Sequence, residues 1–323
     1  MPQRQHVDLV GHQKYLVSQL DPENLIPIDN IIIQTGKPED EWLKESMELI
    51  GKWRAIFRSI YIKWSLAING LHIALEKYSD GDWQAEKQFF IRSLRTEPSG
   101  KAQPVQIAVW NGPETVKHHA SVIPQVAGWG IIDLGSALEE FIFDLYRIFH
   151  WAHTEHLTTG PEFKEIRKLR NNSKNGPEGM AKWEAAFTAR LDAWQRNAVY
   201  KPKRELFLAY CQFAGLKTPS TYKHTTLDTW ADSIDGVCIL RNCLIHPNAT
   251  VPKELGDFSA SKFNLGYDFK EGAPLTVTLQ HLQCTECFLD QLLTGINLSL
   301  VERTGAKLPK EESGGKEKPA VTT

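Results

Sequence analysis

Arg241, Asn242 and His246 fall in one short run, Arg241-Asn242-Cys243-Leu244-Ile245-His246, and their types suit one kind of chemistry. An imidazole titrates near neutrality, so His246 is equipped to take a proton from a 2′-hydroxyl or to return one to a leaving oxygen. A guanidinium stays charged and grips phosphate in a fork, stabilising charge that grows in a transition state. Asn242 adds a neutral donor and acceptor beside them. Such a set cleaves a phosphodiester with no metal and no cofactor. Attack by the neighbouring 2′-hydroxyl leaves 2′,3′-cyclic phosphate ends and restricts the substrate to RNA.

The elements around the run must bring these groups together. Leu227, Trp230, Ile234, Val237 and Leu244 share one face of a helix opening at Thr226, and Arg241 falls on that face. A charge there needs a partner or a ligand. On an ideal helix, residues five apart differ by about 140°, so Arg241 and His246 do not meet while the helix continues. Pro247 disfavours helical geometry at His246, which predicts a helix end there and an imidazole free to swing back toward the guanidinium. An arginine and a histidine with four to six residues between them are expected roughly once by chance in a chain like this. Arg147 and His153 form such a second match. Requiring asparagine after the arginine and three residues before the histidine lowers the chance expectation to about 0.02. The rival reading is a terminal arginine and histidine that satisfy helix carbonyls.

The run resembles the Arg-x4–6-His motif of the HEPN superfamily (higher eukaryotes and prokaryotes nucleotide-binding), in its Arg-Asn-x-x-x-His form. A helix over about 131–152 precedes the motif helix and a long one over 279–303 follows it, so the resemblance covers roughly 121–304. It implies an all-α bundle, commonly a homodimer whose two motifs face each other in a composite active site. It also implies a metal-independent endoribonuclease of the toxin–antitoxin or antiviral defence type, held in check by an antitoxin or regulatory partner. By that resemblance Arg241 binds the scissile phosphate, His246 is the acid or base, and Asn242 positions one of them. A polar residue on the preceding helix is expected to touch the arginine; Asp144 is placed nearest, with Glu139 and Glu140 farther round. The alternative is a non-catalytic HEPN module that binds a nucleotide or a protein. A variant of the family would favour tyrosine two residues after the histidine, where Asn248 stands.

Other signals are weaker. Lys164, Arg167, Lys168 and Arg170, with Lys174, Lys201, Lys203 and Arg204 beyond, are locally basic and offer a track for an RNA backbone. Glu162, Glu165 and Glu178 dilute them, which is the pattern of a solvated helix face. His150, His153 and His156 recur every three residues, with the spacing of a helix cap more than of a zinc site. Cys284 and Cys287 lack a second pair and sit within an amphipathic pattern, as buried thiols do. Gly128-Trp129-Gly130 has neither the flanking strand nor the third glycine of a dinucleotide loop.

The periodicity predicts a mostly α chain: a HEPN-like helical bundle with an N-terminal helical extension and one or two short β-hairpins. Residues 1–37 read as an irregular lead-in. Helices are expected over 39–77, 131–152, 181–196, 204–215, 226–246 and 279–303, and hairpins over 89–110 and 263–278. The division is 1–120, then a domain over 121–304, then a polar tail over 305–323 read as disordered. At 41% hydrophobic and 24% charged, the chain has a globular composition. A net charge of −2 gives no global basic field, so RNA must be held by a local patch. No stretch reaches the roughly 18 apolar residues of a membrane span, and Met1–Val10 is polar, so neither membrane nor secretion is expected. Five cysteines, an odd and sparse set, point to reduced thiols and a cytoplasmic setting.

Overall fold

The computed structural model describes residues 30–246 and 250–306. The lead-in before 30, Pro247, Asn248 and the tail from 307 lie outside the described residues. In chain order the elements are α1 (Glu41–Ser79), α2 (Gly81–Glu86), β1 (Phe89–Thr96), β2 (Ala102–Trp110), α3 (Gly112–Ala152), α4 (Glu155–Thr158), α5 (Lys164–Asn172) and α6 (Pro177–Ala198). Then come α7 (Lys203–Ala214), α8 (Leu227–Ile245), α9 (Lys253–Ala260) and α10 (Leu279–Arg303). The chain is mostly α, with one antiparallel β1–β2 hairpin among the described residues. Among the described residues no helix is long and apolar enough to cross a membrane.

Two long helices organise the rest. α1 and α3 run antiparallel, Trp42 meeting Phe149, Trp53 meeting Phe141, and Trp64 meeting Trp129. Trp42, Leu43, Met47, Ile50, Trp53, Phe57 and Ile60 recur at helical spacing and are all buried. α10 packs against this pair, while α8 packs on α3 together with α7. Beyond Ile60 the burial of α1 thins out, as does that of α3 before Val126. Those two ends form an arm whose tip is the hairpin, held by Tyr78, Trp83, Phe89, Trp110, His118 and His119 in ring contact.

α3 is longer than its periodicity predicts. It starts at Gly112, where Asn111 and Glu114 form a reciprocal capping box with proline in the first turn, and it continues through Pro124. Gly128 and Gly130 lie before the start expected for this helix and Gly135 inside it; in the fold all three are notches. A methyl on Gly130 would stand 2.8 Å from Leu282 Cδ1, and one on Gly135 3.2 Å from Arg241 Cδ. The division expected at 120/121 falls inside α3, and one core joins α1, α3, α8 and α10.

The hairpin over 89–110 forms, with its register shifting between Ile91 and Arg92. The one expected over 263–278 does not. Its turn is present, Ala273 N–H donating to Lys270 C=O at 3.0 Å, but among the described residues the only pairing nearby is an isolated bridge between Thr250 and Pro274. Tyr267 and Phe269 alternate inward as a strand would, onto His281 rather than onto a partner strand. Between α5 and α6 the chain makes only a short break.

Candidate functional site

α8 begins where the sequence places it. Thr226 caps it through a reciprocal bond with Thr229. It ends at Ile245, with His246 as the last backbone donor, its N–H reaching Asn242 C=O at 3.0 Å. His246 then leaves in extended geometry, φ −95° and ψ 107°, as the residue before a proline must. Its imidazole is exposed and, among the described residues, makes no hydrogen bond with Arg241.

Arg241 lies against α3 instead. Its side chain is 25% exposed, and Gly135 leaves room for its stem. Nε donates to Ser136 Oγ at 3.3 Å, and Nη1 donates to Asn242 Oδ1 at 3.3 Å. Glu139 Oε2 stands 3.7 Å from Nη1. Nη2 has no hydrogen bond among the described residues, so one edge of the fork remains for a phosphate oxygen.

The carboxylate that meets Arg241 is Glu139, which corrects the placing of Asp144. Asp144 faces α1, where Trp53 Nε1 donates to it at 3.1 Å, and burial holds its carboxyl above the usual range. Glu140 is half-buried one position further round α3 and is not the residue paired with Arg241. Glu139 also takes a second cation, Lys203 Nζ at 2.9 Å from Oε1. Lys203 opens α7, is buried, and donates to Val199 C=O at 2.6 Å and Lys201 C=O at 3.2 Å, so it also closes the end of α6. Ser136, Glu139 and Lys203 are thus the members the sequence reading missed or misplaced. Gly128 and Gly135 were the available signal: two small residues seven apart mark the α3 face that α8 approaches.

Cys238, one turn before Arg241, is no nucleophile: burial, then the Glu139 charge, pushes its thiol up to about 12. The second motif match dissolves, since Arg147 is bonded to Asp192 and Gln195 of α6 while His153 packs on Trp42 and Phe149. The basic segment is tied to its own surroundings. Arg167 donates to the carbonyls of Thr158 and Gly160, Lys168 pairs with Glu165, and Arg170 stands 3.8 Å from Glu155. It packs with α4 and α6, whereas Arg241 belongs to the α3–α7–α8 junction, so the two are not brought together as one site. Among the described residues no three His, Cys, Asp or Glu side chains converge as metal ligands.

Comparison with family models, with curated proteins and with solved structures gave no match for this chain.

Proposed function

We propose that this protein is a metal-independent endoribonuclease acting through Arg241 and His246. The observation that carries the reading is the state of Arg241. It is a half-buried cation at the end of a helix, oriented by Ser136, Asn242 and Glu139, with one edge of its fork left over. A guanidinium held in this way is preorganised for a phosphate oxygen. An exposed imidazole at the same helix end supplies the proton chemistry.

The step balances without water. One imidazole takes the 2′-hydroxyl proton as the 2′-oxygen forms its bond to phosphorus. The bond from phosphorus to the 5′-oxygen breaks, and that oxygen receives a proton from a second, protonated imidazole. Each chain brings one His246, so a homodimer with a composite site supplies both roles. Asn242 keeps the guanidinium in register, and restraint by an antitoxin or regulatory partner fits a catalyst that needs no cofactor to switch on.

The test is cleavage of total RNA and tRNA in excess EDTA by the full chain and by His246→Ala. Expected are fragments with 2′,3′-cyclic phosphate ends from the former, and a loss of 100-fold or more in rate, on the order of a removed acid–base group, from the latter at unchanged melting temperature. Equal cleavage by both proteins would remove His246 from the chemistry. Nucleotide-dependent thermal stabilisation without any cleavage would point instead to a binding module of the same fold.

A further inference from the structure

Trp129 presents its indole to solvent, 54% exposed, beside the candidate site. A single exposed aromatic is ordinary; the surroundings of this one are not. It stands between two glycines at which other helices touch α3. Gly128 is met by Leu244 of α8, and Gly130 by Leu282 of α10 and Trp64 of α1. The backbone under Trp129 is therefore clamped on both sides while its side chain faces outward.

The bed beneath it is fixed as well. The Trp64 ring lies 6.2 Å from that of Trp129, tilted by 56°. Trp64 Nε1 donates to Asp133 Oδ2 at 3.0 Å, and the same oxygen pairs with Lys63, whose Nζ sits 4.8 Å over the Trp64 ring. An exposed indole on a fixed base is the chemistry that holds a nucleobase.

Its position relative to the motif is set by contacts. Arg241 lies against Gly135 and Leu244 against Gly128, so α8 runs back along α3 toward its N-terminal end. His246 follows Leu244 by two residues, at the end of α8. Trp129, next to Gly128, thus lies at the level where Leu244 meets α3, one residue stripe from the contact of Arg241. It shares a stripe of α3 with Ser136, the holder of Arg241 Nε, about 10 Å away along the axis. That is within reach of a base flanking a phosphate gripped by Arg241.

We propose that Trp129 is a base-stacking residue, and that the substrate is RNA with unpaired bases, in single strands or loops. The inference rests on the ribonuclease reading above. A base inside a duplex has both faces covered and cannot lie on an indole, whereas an unpaired base can, with little preference among the four because each has a π face.

The experiment uses the full chain carrying His246→Ala, with a short single-stranded RNA and the same sequence paired into a duplex as probes. Trp129→Ala is expected to weaken binding of the single strand roughly tenfold, the order of one stacked base, at unchanged melting temperature. Trp129→Phe should keep most of the affinity. Moving one abasic nucleotide along the RNA should find a position that costs the indole-bearing protein the same factor and costs the Trp129→Ala protein nothing further. Unchanged affinity in Trp129→Ala overturns the inference, as does conversion of a dimer to a monomer with RNA affinity per protomer intact, which would make the indole a contact between copies. With His246 present, cleavage at an unaltered KM in Trp129→Ala would sink the stacking role and spare the nuclease. The abasic signature without cleavage would do the reverse, and a chain that neither binds nor cuts RNA would end both.

Discussion

Glu139 holds two cations on one carboxylate, Lys203 at 2.9 Å and Arg241 at 3.7 Å, and is only 17% exposed. Lys203 has even less water around it, so the pair is mutually required: removing the acid leaves a buried ammonium with two carbonyls and the face of Phe143 and no counter-charge. Breaking a fully buried pair in this way costs about 3–5 kcal/mol; the residual solvent at Glu139 brings the expectation for Glu139→Ala to roughly 2–3 kcal/mol. Adding Lys203→Met should recover part of that loss, because the uncompensated charge is then gone. Chemical denaturation of the two variants measures both numbers, and a Glu139→Ala midpoint equal to the parent's would mean that water already solvates Lys203. At this scale the sequence was legible along the chain, putting Arg241, Asn242 and His246 at the end of one helix, where they stand, although the imidazole makes no hydrogen bond with the guanidinium. It was not legible where chemistry crosses between helices. α3 is covered on several sides, by α1, α7, α8 and α10, so distance from one apolar stripe did not distinguish Asp144, which meets Trp53, from Glu139, which meets Arg241.

Helix contacts in this bundle are made by large rings entering glycine notches. Trp230 of α8 lies over Gly295 of α10, where a methyl would overlap its six-membered ring, and Phe258 of α9 covers Gly236 of α8 in the same manner. Alanine is the better helix former by about 1 kcal/mol, so an open helical glycine should gain from substitution. Gly70 on the exposed side of α1 has nothing within 4 Å of the added carbon. Gly70→Ala is therefore expected to raise stability by about 0.5–1 kcal/mol. Gly295→Ala should lower it by roughly 1–3 kcal/mol despite the same intrinsic gain, because Trp230 is buried and has no room to withdraw. Thermal melts of the two variants compare the terms directly; two shifts of the same sign would show that propensity outweighs packing at the α8–α10 contact. The same notches explain what the sequence hid. α1, α8 and α10 carry clean apolar periodicity and were legible to within a few residues. The first half of α3 was not, since Gly128, Gly130 and Pro124 are breakers by local rule and only the neighbours that fill the notches show why the helix persists.

The molecule has one large core and a small second one, Leu157, Phe187 and Leu191, joined to the first through Trp194. His150 sits at that junction. It is 2% exposed, its ring stacked on Tyr146 at 5.4 Å and edge-on to Trp194 at 4.9 Å. Neither ring nitrogen has a hydrogen-bond partner among the described residues. Burial first, and then the nearby His156, His153 and Arg190, push the imidazole down to about 3. In the unfolded chain an imidazole takes its proton near 6.5. Above that pH both states are neutral and His150 adds no pH dependence. As pH falls from about 6.5 toward 3, the unfolded chain binds a proton that the folded one refuses, and stability drops by about 1.4 kcal/mol per pH unit from this group alone. Asp144 acts in the opposite sense, since a carboxyl held high by burial binds its proton more readily in the folded state. The difference between the parent chain and His150→Phe, which keeps the ring and removes the titration, isolates the histidine. Unfolding free energies of the two should run parallel above pH 7 and diverge below 6, with the parent losing ground. Parallel curves down to pH 4 would mean that the imidazole reaches water in the folded state. Divergence, with α6 exchanging its amide hydrogens before α8 does, would show that the small core detaches first while the junction bearing Arg241 stays closed.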